Sequence, residues 1–315
     1  MRTTFLVREP WYWPVALCRE EGELVTEHMR RHGVDAAIFF SDIVVPVKCA
    51  GVDVVITPGV GPVVAEPFAA QSDLSRLPTP TPDMFDAVAA GVRATVAELG
   101  ATPLIGFAGA PFTVASYLIE GGPSRDLPRT KAMIIREPEL FSALLGRLAD
   151  LAAAFLRVQI LAGASAMQLF DSWVGALPAR LYREHVLPHS ERVFAQVADL
   201  GVPRVHFGVG ANHLAVDMAG AGCDVLGVDF RVDLDQVDPG IRDRMPLQGN
   251  LDPAVLLTDE ATIEAEVRRV LAAGRGLRGH VFNLGHGVLP DTPADNVTAA
   301  VRAVQEFGEP FQGGS

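Results

Sequence analysis

A chain of 315 residues that is 49% hydrophobic and only 20% charged, with positive mean hydropathy, carries enough apolar side chains for a large core and lacks the signature of disorder. Its 26 basic against 38 acidic residues give a net charge of −12, which opposes nonspecific binding to nucleic acid or anionic lipid and leaves any anionic small ligand needing a local positive pocket. Cys18, Cys49 and Cys223 are odd in number and show no C-x-x-C spacing, so they indicate neither a disulfide framework nor a zinc knuckle but thiols in a reducing compartment.

No apolar run reaches the length of a membrane span, and MRTTFLVREPWYWP has charge and proline where a signal peptide needs an unbroken apolar core. A soluble, cytoplasmic protein is expected. In chain order, short apolar runs occur at PVALC (14–18), AAIFF (36–40), PLIGF (103–107), SAMQLF (165–170), PRVHF (203–207), DVLGV (224–228), MPLQG (245–249) and HVFNL (280–284). Between most of them lie segments of helical periodicity. Thr81-Pro82, Asp252-Pro253 and Thr292-Pro293 each place a capping residue ahead of a proline in a first helical turn. From Glu139 to Leu161 the residues Leu144, Leu148, Leu151, Phe155 and Val158 repeat at helical spacing, so this segment is predicted to pack on a sheet. Strands of continuous apolar character alternating with helices predict a parallel sheet covered on its outer face. At this length, with no compositional break, a single-domain α/β (β/α)₈ TIM barrel over residues 1–315 leads, with a doubly wound open sheet as runner-up. The stretch VDVVITPGVGPVVAEP (52–67) breaks the alternation and reads as a β-hairpin inserted after the second strand, a decoration of the rim.

Chemistry in such barrels sits at the C-terminal strand ends. The residues there are Arg19, Ser41-Asp42, Ala108 to Pro111, Asp171-Ser172, Gly208, Asp229, Asn250, and Asn283 through His286. Each type also has a structural use, since Asp and Ser cap helices and Gly makes turns; their arrival at one rim is what points to a site. His206, His213 and Cys223 could be imagined as zinc ligands, but the residue two after His206 is Gly208, which breaks the His-x-Cys pattern. GVGANH (208–213) reads as a βα turn, and the basic GRGLRGH (274–280) precedes the last strand, at the rim away from the site.

The stretches DAAIFFSDIVVP (35–46), PLIGFAGAPFTVASYLIEGG (103–122), QLFDS (168–172), LQGNLDP (247–253) and FNLGHGVLPDTP (282–293), in this order, resemble the uroporphyrinogen decarboxylase family. The resemblance implies a (β/α)₈ barrel found as a homodimer, which removes the four acetate carboxyls of uroporphyrinogen III to give coproporphyrinogen III with no metal and no organic cofactor. It places Asp42 against the pyrrole N–H groups and Arg19, Tyr117, Ser172 and His286 against the tetrapyrrole's rings and carboxylates, with Asp42 and Arg19 the catalytic pair. A helix N-cap role for Asp42 is disfavoured because FFSDI is followed by prolines and the hairpin, not by an immediate helical pattern. Glycines on both sides of His286 are expected to let the backbone approach a ligand.

One segment departs from the family. PVALCREEGE aligns with a strand and an arginine-rich clasp, P-V-W-x-M-R-Q-A-G-R, keeping Pro14, Val15, Arg19 and Gly22 but placing Glu23 where the second arginine belongs. Guanidinium binds carboxylates bidentately, and a carboxylate in its place reverses the sign: two like charges about 4 Å apart repel by roughly 4 kcal/mol at an effective dielectric near 20. Three readings stay open: an active decarboxylase, an impaired barrel that binds a tetrapyrrole or a partner without turnover, and a methyl transferase of the same superfamily. Glu23→Arg is expected to raise kcat/KM for uroporphyrinogen; an unchanged value with the fold intact would refute the alignment of this segment.

Overall fold

The computed structural model describes residues 2–4 and 30–308. Eight parallel strands form one sheet: β1 (Arg2–Thr4), β2 (Ala37–Ile38), β5 (Leu104–Gly109), β6 (Ala166–Asp171), β7 (Arg204–Gly208), β8 (Val225–Gly227), β9 (Leu247–Leu251) and β10 (His280–Leu284). Their spatial order is β1-β10-β9-β8-β7-β6-β5-β2, the cyclic order of a (β/α)₈ barrel whose seam falls between β1 and β2. Seven of the eight strands coincide with the apolar runs of the sequence. The run at 14–18, with Arg19 and Glu23 after it, lies outside the described residues, and the place beside β10 is taken by Arg2–Thr4, paired to Val281, Phe282 and Asn283.

Side chains alternate across β2 and β5 to β10, and both faces are largely buried. Ala36, Ile38, Ile105, Phe107, Phe170 and Phe207 form the inner cluster, while Phe39, Leu104, Ala108, Met167, Leu169 and Leu226 belong to the larger core between strands and helices. Continuous apolar runs are therefore what this sheet requires. Over the strands pack α1 (Val45–Cys49), α2 (Asp86–Leu99), α3 (Pro111–Glu120), α4 (Pro128–Arg136), α5 (Pro138–Leu161), α6 (Ala179–His185), α7 (Leu187–Gln196), α8 (Ala215–Gly220), α9 (Pro239–Arg242), α10 (Glu260–Ala273) and α11 (Ala294–Phe307). The 24-residue α5 starts on Pro138 and buries Leu144, Leu148, Leu151 and Phe155, as its periodicity predicts. Asp252-Pro253 opens only a 3₁₀ turn to Leu257; the longer helix α10 follows, capped by Asp259 accepting the Thr262 N–H.

The hairpin is present as β3 (Val54–Thr57) and β4 (Gly61–Val64), antiparallel, with Thr57 opposite Gly61. It is strapped to the barrel by Val64 N–H donating to Gly121 O and Phe68 N–H donating to Leu118 O. A second device compensates for the shortness of β2. Where its ladder to β5 ends, the Gln159 side chain from α5 accepts the Phe107 N–H and donates to the Phe107 carbonyl, both at 2.9 Å, so both backbone groups of Phe107 are paired.

Two titratable groups sit on the helix-facing side of the strands. Asp171 is fully buried, and Thr113 Oγ1 donates to its Oδ1 at 2.6 Å; burial pushes its carboxyl up to about 7. His206 is fully buried, with Nδ1 donating to Met218 O at 3.3 Å, and burial pushes it down to about 4. Cys223 meets the same carbonyl at 3.5 Å and is pushed up to about 12, while His213 Nε2 donates to Leu177 O at 2.7 Å. His206, His213 and Cys223 are committed to backbone carbonyls, and among the described residues no three His, Cys, Asp or Glu converge as metal ligands.

The two buried groups titrate in opposite senses. Asp171 binds its proton more tightly folded than unfolded, so its contribution to stability is lost as pH rises from its ordinary value to about 7, by up to ~4 kcal/mol. His206 resists protonation when folded, so stability is lost as pH falls from 6.5 towards about 4, by up to ~3 kcal/mol. Urea unfolding across this range is expected to show Asp171→Asn losing less stability than the parent on the alkaline side and His206→Leu losing less on the acid side. Parallel curves for parent and variants would contradict these assignments.

Candidate active site

A cavity of about 430 Å³ opens at the C-terminal ends of the strands, where barrel chemistry is expected. Its walls divide by chemistry. Phe40, Phe107, Phe170 and Phe207, from β2 and its end, β5, β6 and β7, pack ring against ring at centroid distances of 5.2, 4.5 and 5.9 Å and give one side an apolar surface. Val60, Gly61 and Pro62 bring the hairpin over it, so the hairpin is part of the site and not a rim ornament alone. Polar groups come from Asp42, Tyr117, Gln168, Ser172, Asn283 and His286.

Asp42 follows β2 and is buried, with the Val44 N–H donating to its Oδ1 at 3.0 Å. This bond fixes the carboxylate's direction beside Ile43, another cavity residue. The expectation of no immediate helix is corrected here, although Asp42 is not the N-cap, a place that Val44 takes. Helix α1 begins at Val45, directly after this turn, and the Val45 N–H donates to Asp42 O, because the Val45-Pro46 pair places proline in the first turn, where its missing donor costs nothing. Asp42 thus both shapes the turn into α1 and faces the cavity.

Tyr117 projects from the second half of α3, and its ring meets Trp173 edge-on at 5.9 Å. Ser172 and Trp173 follow β6. The two segments are tied beneath the surface by Thr113, which donates to Asp171 and accepts the Trp173 N–H at 3.2 Å. Since Thr113 lies one helical turn before Tyr117, the same buried link holds Tyr117 and Ser172 in register. His286 leaves the end of β10. The glycine before it has a reason other than the one the sequence suggested: a Cβ on Gly285 would lie 2.3 Å from Phe230 N, so the close approach is to a neighbouring backbone, while Gly287 has open space around it.

Asp42, Tyr117, Ser172 and His286 therefore line one cavity, drawn from four separate parts of the chain. Arg19 lies outside the described residues. The described lining contains neither lysine nor arginine. Sequence reasoning did not single out Gln168 as a site residue or select Asn283 from the β10 end; only the inward parity of β6 and β10, set by Phe170 inside and by Phe282 outside, assigns both to the lumen.

Comparison with known proteins agrees with this geometry. The family model described as uroporphyrinogen decarboxylase (URO-D) matches residues 21–307. The uroporphyrinogen decarboxylase of Rhodococcus erythropolis is 54% identical over 304 residues, covering 95% of this chain and 84% of the relative. That of Streptomyces coelicolor is 56% identical over 282 residues, covering 90% and 79%. Among solved structures, a methyltransferase from Methanosarcina mazei superposes with a TM-score of 0.79 at 22% identity, covering 94% of this chain and 88% of that one, which shows a shared fold. The chain, with its cavity at the carboxyl ends of the barrel strands, belongs to the uroporphyrinogen decarboxylase family.

Proposed function

We propose that the chain decarboxylates the acetate arms of uroporphyrinogen to give coproporphyrinogen in tetrapyrrole biosynthesis. The observation that carries this reading is the buried Asp42 carboxylate, oriented by the Val44 N–H and lining a cavity that it shares with the phenylalanine wall. Family membership and curated relatives at 54% and 56% identity support it.

The chemistry follows from where charge develops. Protonation of a pyrrole carbon makes the ring cationic; the bond from the acetate methylene to its carboxylate then breaks, its electron pair flows into the ring, and carbon dioxide leaves. Reprotonation at the methylene completes a methyl group, and the proton first added to the ring carbon then leaves to restore the aromatic pyrrole, so each arm exchanges carbon dioxide for one proton. Asp42, accepting hydrogen bonds from the pyrrole N–H groups, stabilises that cation, and the low dielectric beside Phe107, Phe170 and Phe207 makes the interaction stronger than it would be in water. Tyr117, Ser172 and His286 serve as donors to the acid arms. Arg19 is the cationic member of the proposed set. The free thiols Cys49 and Cys223 support a reducing, cytoplasmic setting, and the homodimer implied by the resemblance belongs to the same proposal.

Anaerobic incubation with uroporphyrinogen, followed by separation of oxidised products by carboxyl number, is expected to show conversion to coproporphyrinogen. Asp42→Asn should lower kcat on the order of 100-fold or more, the usual scale for losing a group aimed at developing charge. Binding without turnover would favour the impaired-barrel reading that Glu23 raises, and full activity in Asp42→Asn would refute the role of the carboxylate.

A further inference from the structure

The substrate brings carboxylates into a cavity whose described lining offers neither lysine nor arginine, so recognition of any arm that reaches those residues falls to His286 and to uncharged donors. Two of these belong to the barrel lumen itself. Asn283, 4% exposed, points inward from β10; its Oδ1 accepts the Leu284 N–H at 2.9 Å, which fixes which end of the amide is oxygen and turns the NH₂ away from that bond. Gln168, 1% exposed, points inward from β6, and Gln248 Nε2 reaches across from β9 to donate to its Oε1 at 2.9 Å. No described residue accepts a hydrogen bond from either remaining NH₂ group. The two sites stack along the barrel. Val281 pairs with Gln248, so Asn283 stands one inward position nearer the mouth than the Gln168–Gln248 bridge.

We propose that Asn283, with Gln168 beneath it, forms an uncharged donor subsite for the carboxylate of the acetate arm undergoing reaction; this rests on the decarboxylase reading. The reacting carboxylate loses its charge as carbon dioxide forms. A guanidinium on it would stabilise the ground state more than the transition state and so slow the step, whereas an amide N–H orients the group with a weaker hold that is cheaper to give up. A primary amide also keeps its donors at every working pH. The fixed oxygen on Asn283 means that its donors are held in place before substrate arrives, which places the arm without ordering cost at the moment of reaction.

The test compares the parent with Asn283→Asp, Asn283→Leu and Gln168→Leu under anaerobic turnover of uroporphyrinogen at about pH 8, where an aspartate favours its ionised form. Asn283→Asp keeps the acceptor for the Leu284 N–H, so a purely structural asparagine would tolerate it. The subsite predicts a folded Asn283→Asp protein with kcat lowered on the order of 100-fold and accumulation of seven-, six- and five-carboxyl intermediates, with Asn283→Leu in the same direction. Gln168→Leu, expected to lose roughly 10-fold, gives an independent reading if position 283 does not tolerate change. Parent-like kcat and product distribution in folded variants, or a change confined to KM, would overturn the subsite while leaving the decarboxylase reading intact. A parent inactive in the same assay would overturn both, and is recognised by the absence of any product before a variant is compared.

Discussion

Four phenylalanines from four neighbouring strands fill one side of the barrel lumen, and the position of everything else at the mouth depends on how they pack. Phe40, Phe107, Phe170 and Phe207 meet in edge or tilted geometry, each ring resting on the next. They close the lumen on that side and leave space above them. The opposite side is built from Gln248, Asn250 and Asn283, whose amides cannot pack as hydrocarbon and are instead hydrogen-bonded across the barrel or to its turns. The result is a cavity with an apolar face of phenylalanine rings and polar groups from Gln168, Ser172, Asn283 and His286, with Asp42 beside Phe40.

The outer face of the same strands does different work. Asp171 and His206 occupy outward positions, one on β6 and one on β7, where helices cover them. Through Thr113, Asp171 links the helix carrying Tyr117 to the loop carrying Ser172 and Trp173. Strand parity thus separates the residues that face the cavity from those that hold them. A one-residue slip in β6 would exchange Gln168 and Phe170 for Leu169 and Asp171 and destroy both arrangements.

Much of this was legible in the sequence because the barrel demands strands buried on both faces, and HVFNL, PLIGF and PRVHF announce that by their continuous apolar character. The five motif stretches then marked four cavity residues, since strand ends converge on one rim whatever lies between them. Arg2–Thr4 was not legible: three residues with no apolar pattern become a strand only through pairing with Val281–Asn283. Continuous runs also conceal their own parity, which is why Gln168 was not singled out and Asn283, named among the strand-end residues, was not selected from them. The Gln168–Gln248 bridge joins residues 80 positions apart, and the need for Gly285 arises from the backbone of Phe230; neither leaves a local trace. Asp42 was found by motif, yet its turn into α1 was misread, because prolines in a first helical turn look like extended chain when taken alone.

The account centres on a carboxylate that receives pyrrole N–H groups while the rings lie against the aromatic wall. An anaerobic crystal structure with coproporphyrinogen tests this most directly. The predicted result places pyrrole nitrogens about 3 Å from the Asp42 carboxylate, with the macrocycle facing Phe107 and Phe170. A macrocycle bound elsewhere on the barrel, or seated in the cavity with its nitrogens turned away from Asp42, would contradict it.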